Sequence, residues 1–316
     1  MKNQQIEKVL AKIFPTKISS VVLGKINFSQ LNEIRLRAGR PILVLLGGLS
    51  YFLSEEGISN NVESGIICTK QDIENIVFRA SECSIYAVNE QIKKGFLTVE
   101  GGIRIGIAGE CVCENEKIST IKNFSSLVVR IPHKIRNCSL PVLSHILENG
   151  SFHNTLIISP PGAGKTTLLR DFVNQLSKRN ICLNVLVVDE RGELAGVCGN
   201  ESQLLESNFC DIVSYFSKSE GFLIGVRSLS PSIVVCDEIG AESDISALEY
   251  VCNCGVGVVA TAHASSIEEL RQKPNFNLLI KNHLFERYVV LSGREGPGTI
   301  EGVFDKSFSP ILGGKT

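Results

Sequence analysis

The chain has 316 residues, of which 43% are hydrophobic, and its 32 Lys and Arg residues nearly balance its 33 Asp and Glu residues. This length accommodates two domains with substantial cores, and the near-neutral charge excludes a global positive field that would attract nucleic acid. The eleven cysteines are scattered and form no C-x-x-C pair. They therefore disfavour a zinc or redox site and favour reduced thiols in the core or in loops.

Two segments near the N-terminus bear on targeting. The first, MKNQQIEKVLAKIF, alternates charged and apolar residues, unlike a secretory signal, and we expect it to stay attached. The longest apolar stretch, PILVLLGGL from Pro41, is less than half as long as a bilayer-spanning helix. The sequence therefore predicts no direct membrane span, and any membrane association would come through partners.

The first part of the chain is predicted to form the smaller of two domains, a mixed α/β unit. The segment TKQDIENIVFRA predicts a helix with Thr69 and Asp72 in capping-box positions. Alternating segments on either side of Glu100–Gly102 predict a β-hairpin, and SSLVVRI predicts a further strand. We place the domain boundary near Arg136, which gives domains of residues 1–136 and 137–316.

The second domain contains an apolar strand, a loop rich in Gly and Pro and a helix, in the order that a phosphate-binding loop requires. Gly162 and Gly164 permit a turn that aims successive N–H groups at the β- and γ-phosphates of a nucleotide, and the Lys165 ammonium adds positive charge. The pattern G-x-x-x-x-G-K-[ST] is matched except at its first glycine. The predicted nucleotide contacts are Ser159, Pro160, Pro161, Gly162, Ala163, Gly164, Lys165, Thr166 and Thr167.

A second element, SIVVCDE, supplies the carboxylates that hydrolysis requires. Ile233–Cys236 predicts a buried strand, and Asp237 follows at its C-terminal edge, where parallel sheets bind ligands. We predict that Thr166 and Asp237 hold Mg²⁺ beside ATP, and that Glu238 orients and deprotonates the attacking water. Lys165 and His263 complete the predicted catalytic set. Two acids after a strand often form only a solvated loop, so the prediction depends on the neighbouring phosphate loop.

Two further strands, in VVDERGE and VVATAHASS, end in polar residues. If both strands flank the loop strand, Asp189, Glu190 and Glu193 after the first strand, and Thr261 and His263 after the second, line the γ-phosphate side. His263 would then sense the γ-phosphate or hydrogen-bond Glu238, and the alternative is a satisfied histidine near a strand end. The alternation of these strands with helical stretches predicts a mostly parallel sheet covered on both faces.

The chain resembles the RecA-like P-loop domain of the type II and type IV secretion ATPases in ISPPGAGKTTLLRD, VVDERGELAG, VRSLSPSIVVCDEIG and VVATAHASSIEEL. In the first domain, NEIRLRAGRP, GFLTVEGGIRIGIAGE and SSLVVRI look like the sporulation branch of that superfamily, the stage III sporulation protein AA family. By this resemblance, Glu238 matches the catalytic glutamate and His263 lies in the histidine box. Arg104 and Arg130 match arginines that the first domain contributes to the nucleotide.

The resemblance implies an ATP-driven ring motor, a homo-oligomer that is generally a hexamer. For the sporulation branch it implies a cytoplasmic ATPase of the mother cell that is peripheral to the membrane through its partners. Those partners would be the membrane-bound components of a channel complex that connects mother cell and forespore.

The chain departs from the secretion ATPases beside the catalytic glutamate, where Asp237 and Gly240 replace the usual glycine and arginine. The metal site therefore resembles that of a general P-loop ATPase. Two alternatives to a motor stay open: an assembly scaffold that binds ATP but hardly cleaves it, and a RecA-like nucleic-acid motor. The intact Glu238 disfavours the scaffold. The near-neutral charge and the lack of a basic, aromatic-rich strip disfavour the nucleic-acid motor and predict no nucleic-acid partner.

Overall fold

A computed structural model describes residues 2–82, 84, 88–114, 117–133, 135–148, 150–179, 183–198 and 201–313. The chain divides into two compact units. The first comprises Met1–His133 and Gly196–Gln203, and the second comprises Lys134–Ala195 and Leu204–Thr316. The first unit thus contains a segment that lies far beyond the predicted boundary near Arg136. Within the described residues, no helix has the length and apolarity to cross a lipid bilayer.

The first unit is built on a seven-stranded antiparallel sheet in the order β5-β4-β3-β1-β9-β8-β7. The strands of this unit are β1 (Leu31–Arg37), β2 (Arg40–Pro41), β3 (Leu43–Leu46), β4 (Leu49–Ser54), β5 (Gly57–Ser59), β6 (Ile67–Cys68), β7 (Phe96–Val99), β8 (Ile103–Glu114) and β9 (Lys117–Arg130). Strands β2 and β6 form a separate antiparallel pair outside the seven-stranded sheet. Its helices are α1 (Lys2–Ile13), α2 (Thr16–Lys25), α3 (Lys70–Ala80) and α4 (Asn89–Lys93).

Three local predictions for this unit are confirmed. The predicted helix is α3, and Thr69 and Asp72 form its capping box through hydrogen bonds in both directions. The predicted hairpin consists of β7 and β8, which pair antiparallel around the turn Glu100–Gly102. The strand predicted from SSLVVRI is the end of the longer strand β9.

The second unit holds an eight-stranded sheet in the order β16-β13-β17-β18-β12-β19-β20-β21. From β16 to β19, neighbouring strands pair in parallel, whereas β20 and β21 are antiparallel. The strands of this sheet are β12 (Thr155–Ser159), β13 (Val185–Asp189), β16 (Cys210–Ser214), β17 (Ile233–Cys236), β18 (Gly257–His263), β19 (Arg287–Ser292), β20 (Thr299–Asp305) and β21 (Pro310–Gly313).

Further α-helices and short strand pairs lie along the chain after β9. They are the helices α5 (Leu140–Ile146), α6 (Lys165–Lys178), α7 (Lys218–Leu229), α8 (Glu242–Asn253), α9 (Ile267–Gln272) and α10 (Asn277–Lys281), and the two-stranded pairs β10 (Leu147–Glu148) with β11 (Ser151–Phe152) and β14 (Val197–Cys198) with β15 (Glu201–Ser202). The strand pair β14–β15 lies in the segment that belongs to the first unit.

The buried parallel strands explain where the polar residues of this unit lie. Every residue of β12, β13 and β17 is buried. Because the strands are parallel, the residues that follow them come out at one edge of the sheet. The expectation that both polar-ended strands flank β12 is wrong for β13: β18 lies beside β12, but β17 and β18 separate β13 from it. Connections in a parallel sheet cross over, so chain order does not fix strand neighbours.

Candidate nucleotide-binding site

The phosphate loop joins β12 to α6 at the carboxyl edge of the sheet. Gly162 and Gly164 have φ angles of +75° and +94°, a region that other residues rarely adopt. Gly164 is also the N-cap of α6, which is fourteen residues long. The loop therefore brings backbone donors and the positive end of a helix to one place, which is the arrangement that binds phosphate.

The Lys165 side chain is 5% exposed and lies against the loop. Its ammonium donates to the Ser159 carbonyl at 3.3 Å, to the Ser159 hydroxyl at 3.2 Å and to the Pro160 carbonyl at 3.4 Å. Burial lowers the pKa of Lys165, while the carboxylates of Asp237 and Glu238 oppose that shift. The lysine is thus an incompletely solvated cation with long hydrogen bonds, which an incoming phosphate can replace.

Three oxygen-bearing side chains meet beside the loop. The Thr166 hydroxyl and the Thr261 hydroxyl donate to the two carboxylate oxygens of Asp237. Hydroxyl and carboxylate oxygens are ligands that Mg²⁺ accepts, and it usually completes its shell with phosphate and water. Among the residues that the structure describes, no group of three or more His, Cys, Asp or Glu forms a metal cage. Thr166 and Asp237 therefore fit a metal that arrives with the nucleotide.

Glu238 occupies a constrained position next to Asp237. Its φ angle is +53°, which is uncommon for a residue with a side chain. Its backbone N–H donates to the Thr261 hydroxyl at 2.8 Å, and the N–H of Ile239 donates to the Thr261 carbonyl at 2.8 Å. Thr261 is fully buried on β18, so the neighbouring strand fixes the backbone on which Glu238 stands.

A chain of hydrogen bonds links the lysine to the glutamate. His263 Nδ1 lies 3.1 Å from Lys165 Nζ, and His263 Nε2 lies 3.2 Å from Glu238 Oε1. Because an ammonium can only donate, Nδ1 accepts from Lys165 and the ring proton on Nε2 donates to Glu238. His263 therefore lies between the phosphate loop and the carboxylate, as one of the two predicted roles requires.

The acids that follow β13 make contacts of their own. Asp189 is buried and accepts from the N–H groups of Glu193 at 3.0 Å and Ala195 at 2.8 Å, and burial raises its pKa. Glu190 pairs with Lys218 at 2.6 Å. Burial by itself would lower the pKa of Lys218, but Glu190 and the charge of Asp244 raise it above its ordinary value. Asp189 thus fixes the loop that follows it through hydrogen bonds, and Glu190 forms an ion pair with a buried lysine.

Two basic residues near Glu238 were not assigned a role from the sequence. Arg191 Nη1 lies 2.6 Å from Glu238 Oε2, and Lys273 Nζ donates to the carbonyl of His263. Both line an open cavity of about 410 Å³, together with Glu238, His263 and residues 274–276. Arg191 stands inside the segment VVDERGE, but only the packed strands bring it to Glu238.

The two arginines predicted in the first unit lie opposite each other on adjacent strands. Arg104 on β8 pairs in register with Arg130 on β9. The Arg104 guanidinium lies 4.1 Å from the centre of the Phe96 ring, and Arg130 Nε lies 3.5 Å from a carboxylate oxygen of Glu33. Their assignment to the nucleotide stays a prediction.

Comparison with known proteins assigns nearly all of the chain to one family. Residues 1–311 match the family described as "Sporulation stage III, protein AA". The chain is 33% identical over 302 residues to the stage III sporulation protein AA of Bacillus subtilis (strain 168), covering 94% of each protein.

Solved structures share the fold at low sequence identity. The pilus retraction motor PilT with bound ADP superposes with a TM-score of 0.56 at 12% identity, over 90% of this chain and 77% of that chain. The ATPase DotB of Legionella pneumophila superposes with a TM-score of 0.50 at 14% identity, over 83% of this chain and 72% of that chain. The chain therefore has the mixed α/β fold of the secretion ATPases, with a large sheet of the RecA-like P-loop type.

Proposed function

We propose that this chain, which belongs to the sporulation stage III protein AA family, binds ATP with Mg²⁺ at its phosphate loop and hydrolyses it. The proposal rests on one observation: Lys165, His263 and Glu238 are linked by hydrogen bonds to Thr166 and Asp237, through Thr261, at the carboxyl edge of parallel strands. A cation, two oxygen ligands and a carboxylate base are the groups that phosphoryl transfer to water requires.

ATP binding would replace weak hydrogen bonds within the protein with strong contacts to the nucleotide. Lys165 leaves the Ser159 and Pro160 oxygens, at 3.2–3.4 Å, and follows the β- and γ-phosphates. The N–H groups around Gly162 and Gly164 donate to the same phosphates. Thr166 and Asp237, which share a hydrogen bond, would hold Mg²⁺, and the metal would supply positive charge that neutralises the phosphate oxygens.

Hydrolysis then needs a base on the open side of the γ-phosphate. Glu238 accepts a proton from water as the water oxygen forms a bond to the γ-phosphorus. The bond from that phosphorus to the β,γ-bridging oxygen breaks, which yields ADP and phosphate. His263 holds one carboxylate oxygen of Glu238 and contacts Lys165 with its other nitrogen, so the position of the base depends on where the lysine lies.

The cellular role that we propose follows from the family and the fold. The chain acts as a motor or assembly ATPase of sporulation, forms a homo-oligomeric ring, and serves membrane-bound components of a channel between mother cell and forespore from the mother-cell cytoplasm. Family membership and the likeness to secretion ATPases support this proposal.

The test combines binding and turnover in two variants. Lys165→Ala should weaken the binding of a fluorescent ATP analogue more than about tenfold, or about 1.4 kcal/mol, because it removes the charged phosphate contact. Glu238→Gln should keep that binding and lose hydrolysis by about a hundredfold or more, because an amide accepts no proton from water.

Two exposed residues of the same unit give matched controls. Lys178→Ala changes a lysine in the last turn of α6, and Glu242→Gln changes an acid in the first turn of α8. Both should keep wild-type affinity and turnover. Wild-type binding by Lys165→Ala would contradict the phosphate-loop assignment, and wild-type turnover by Glu238→Gln would contradict the base. Measuring turnover with and without DNA also tests the nucleic-acid motor, which requires stimulation by DNA.

A further inference from the structure

Two side chains, each from the end of a different strand, contact the predicted base Glu238 from two sides. Arg191, which follows β13, places Nη1 2.6 Å from Glu238 Oε2. His263, the last residue of β18, places Nε2 3.2 Å from Glu238 Oε1. Within the part of the chain that the structure describes, each carboxylate oxygen therefore has one side-chain partner. Since a carboxylate offers about four lone-pair sites, each oxygen keeps one site for water.

Stability does not account for the arginine contact. The Arg191 side chain is 58% exposed and the Glu238 side chain is 26% exposed. Ion pairs that solvent reaches contribute only about 0–1 kcal/mol, because screening and side-chain ordering offset the attraction. A contact of 2.6 Å at the predicted base is therefore better explained by its effect on the orientation of the carboxylate than by a contribution to folding stability.

The Glu238 carboxylate needs such support because three rotatable side-chain bonds separate it from the backbone. The strand β18 already fixes the backbone of Glu238, through the hydrogen bond to Thr261 and the φ angle of +53°. The side chain beyond Cβ would still sample several rotamers. His263 contacts one oxygen and Arg191 contacts the other, which leaves the carboxylate one orientation. Glu238, which carries this carboxylate, lies at a strained backbone position.

We infer that Arg191 is a positioning residue for ATP hydrolysis: it orients the Glu238 carboxylate from the side opposite His263, so that a free lone pair meets the attacking water. This inference rests on the proposed ATPase function and deepens it. Arg191 contributes to the rate through Glu238 and not through nucleotide affinity. A base displaced by about 1 Å costs as much as a hundredfold in rate, so loss of one of two supports should have a measurable effect.

The experiment is a double-mutant cycle with Arg191→Ala, Glu238→Gln and the combined variant. Arg191→Ala should lower kcat about tenfold and change KM and the Kd for ATP less than about twofold. In the Glu238→Gln background, the same change should alter single-turnover hydrolysis less than about twofold, because the group that Arg191 orients is already inactive. Arg191→Lys should recover at least about threefold of the lost rate, since it restores a donor to Oε2.

Arg179→Ala is the matched control, because it removes an exposed arginine at the far end of α6, and it should leave all values unchanged. Melting temperatures check that every variant is folded. An unchanged or raised kcat in Arg191→Ala, a loss that appears equally in both backgrounds, or a loss in ATP affinity would each overturn the inference. These outcomes leave the proposed function intact, whereas wild-type protein that hydrolyses no ATP would overturn both.

Discussion

Gly298 fixes the phosphate loop from outside the strand and helix that it joins. Its N–H donates to the carbonyl of Ala163 at 2.8 Å, and its own φ angle is +91°. A Cβ on Gly164 would lie 3.0 Å from the nitrogen of Gly298, so the two glycines allow this close approach. The turn between β19 and β20 thus supports the loop that is proposed to bind phosphate.

We predict that Gly298→Ala weakens ATP binding about three- to tenfold. An added Cβ at Gly298 would meet no atom within 4 Å, so the effect comes from the backbone. A side chain disfavours the +91° conformation by about 1–3 kcal/mol, and relaxation of the turn would pull its N–H away from Ala163. Isothermal titration with ATP measures the change.

Gly293→Ala provides the control, because Gly293 lies in the same turn, has open space around its Cβ position and has no positive φ angle. It should bind ATP within about twofold of wild type, as expected for an exposed substitution. Equal affinities for the two variants would show that the turn does not support the loop.

The residue-scale departures from sequence patterns have physical reasons. Ser159 replaces the first glycine of the phosphate-loop pattern, and its hydroxyl donates to the Pro160 carbonyl and accepts from Lys165. A short motif predicts such a loop because its residues are contiguous. The pairing of Arg191 with Glu238 could not be predicted in this way, because the two residues are 47 positions apart and meet only through strand order.

At the scale of elements, helix α6 follows the phosphate loop and also binds the segment before α5 through hydrogen bonds. Asp171 on this helix is 2% exposed and accepts four hydrogen bonds from the segment before α5 and from its own helix. The donors are the N–H of Asn137 at 3.0 Å, the N–H and hydroxyl of Ser139 at 2.9 and 2.7 Å, and the Gln175 amide at 3.2 Å. These hydrogen bonds therefore hold the start of the second unit against the helix that follows the proposed phosphate loop.

We predict that Asp171 makes stability depend on pH. Burial alone would raise the pKa of Asp171, but the hydrogen bonds from Ser139, Gln175 and Asn137 outweigh it and hold the pKa below its ordinary value of 3.8. A folded-state pKa below the unfolded one gives stability that is complete above the unfolded value and is lost as pH falls through the folded value. Asp171→Asn should therefore lower the free energy of unfolding at pH 7 by about 1–3 kcal/mol.

Urea unfolding of wild type and variant from pH 7 to pH 3 measures this difference. The gap between the two proteins should narrow as the pH falls below 3.8, because the wild-type carboxylate then takes up a proton. Asp211→Asn changes an exposed aspartate on β16 and should show no such gap. A gap that stays constant with pH would contradict the role of the Asp171 charge.

Element by element, the sequence predicted what local periodicity determines. The order of β12, loop and α6, the capped helix α3 and the hairpin of β7 and β8 follow from contiguous residues. The location of β13 away from β12 depends on pairing between distant strands, and the sequence-based assignment of its acids to the γ-phosphate side assumed the wrong neighbour. Sheet order is a property of the packed chain.

At the scale of the whole molecule, the chain leaves the second unit and returns to it within a few residues. The segment Gly196–Gln203 belongs to the first unit, where the side chain of Gln203 accepts from the N–H of Gly101 at 3.3 Å. Contiguous domains of residues 1–136 and 137–316 do not anticipate this segment. The short strands β14 and β15 carry no strong periodicity, which is why the sequence did not indicate it.

Residues of the second unit hold the loop that leads into this segment. Asp189, at the end of β13, accepts from the N–H groups of Glu193 and Ala195. Arg170, on the phosphate-loop helix α6, donates to the carbonyls of Leu194 at 3.0 Å and Glu193 at 2.8 Å. A shift of α6 on nucleotide binding would therefore act on the residues that precede Gly196 along the chain.

We predict that ATP slows amide hydrogen exchange in peptides that span Glu193–Val197 as well as in the phosphate loop. Arg170→Ala should reduce the change in the Glu193–Val197 peptides by more than about half, because two carbonyls lose their donor and the loop becomes free of α6. Arg179→Ala, on the exposed end of the same helix, should keep the wild-type response. If the ATP response of Glu193–Val197 persists undiminished in Arg170→Ala, α6 does not transmit it. If wild type shows no response at ATP concentrations that protect the phosphate loop, the Glu193–Val197 loop does not respond to the nucleotide at all.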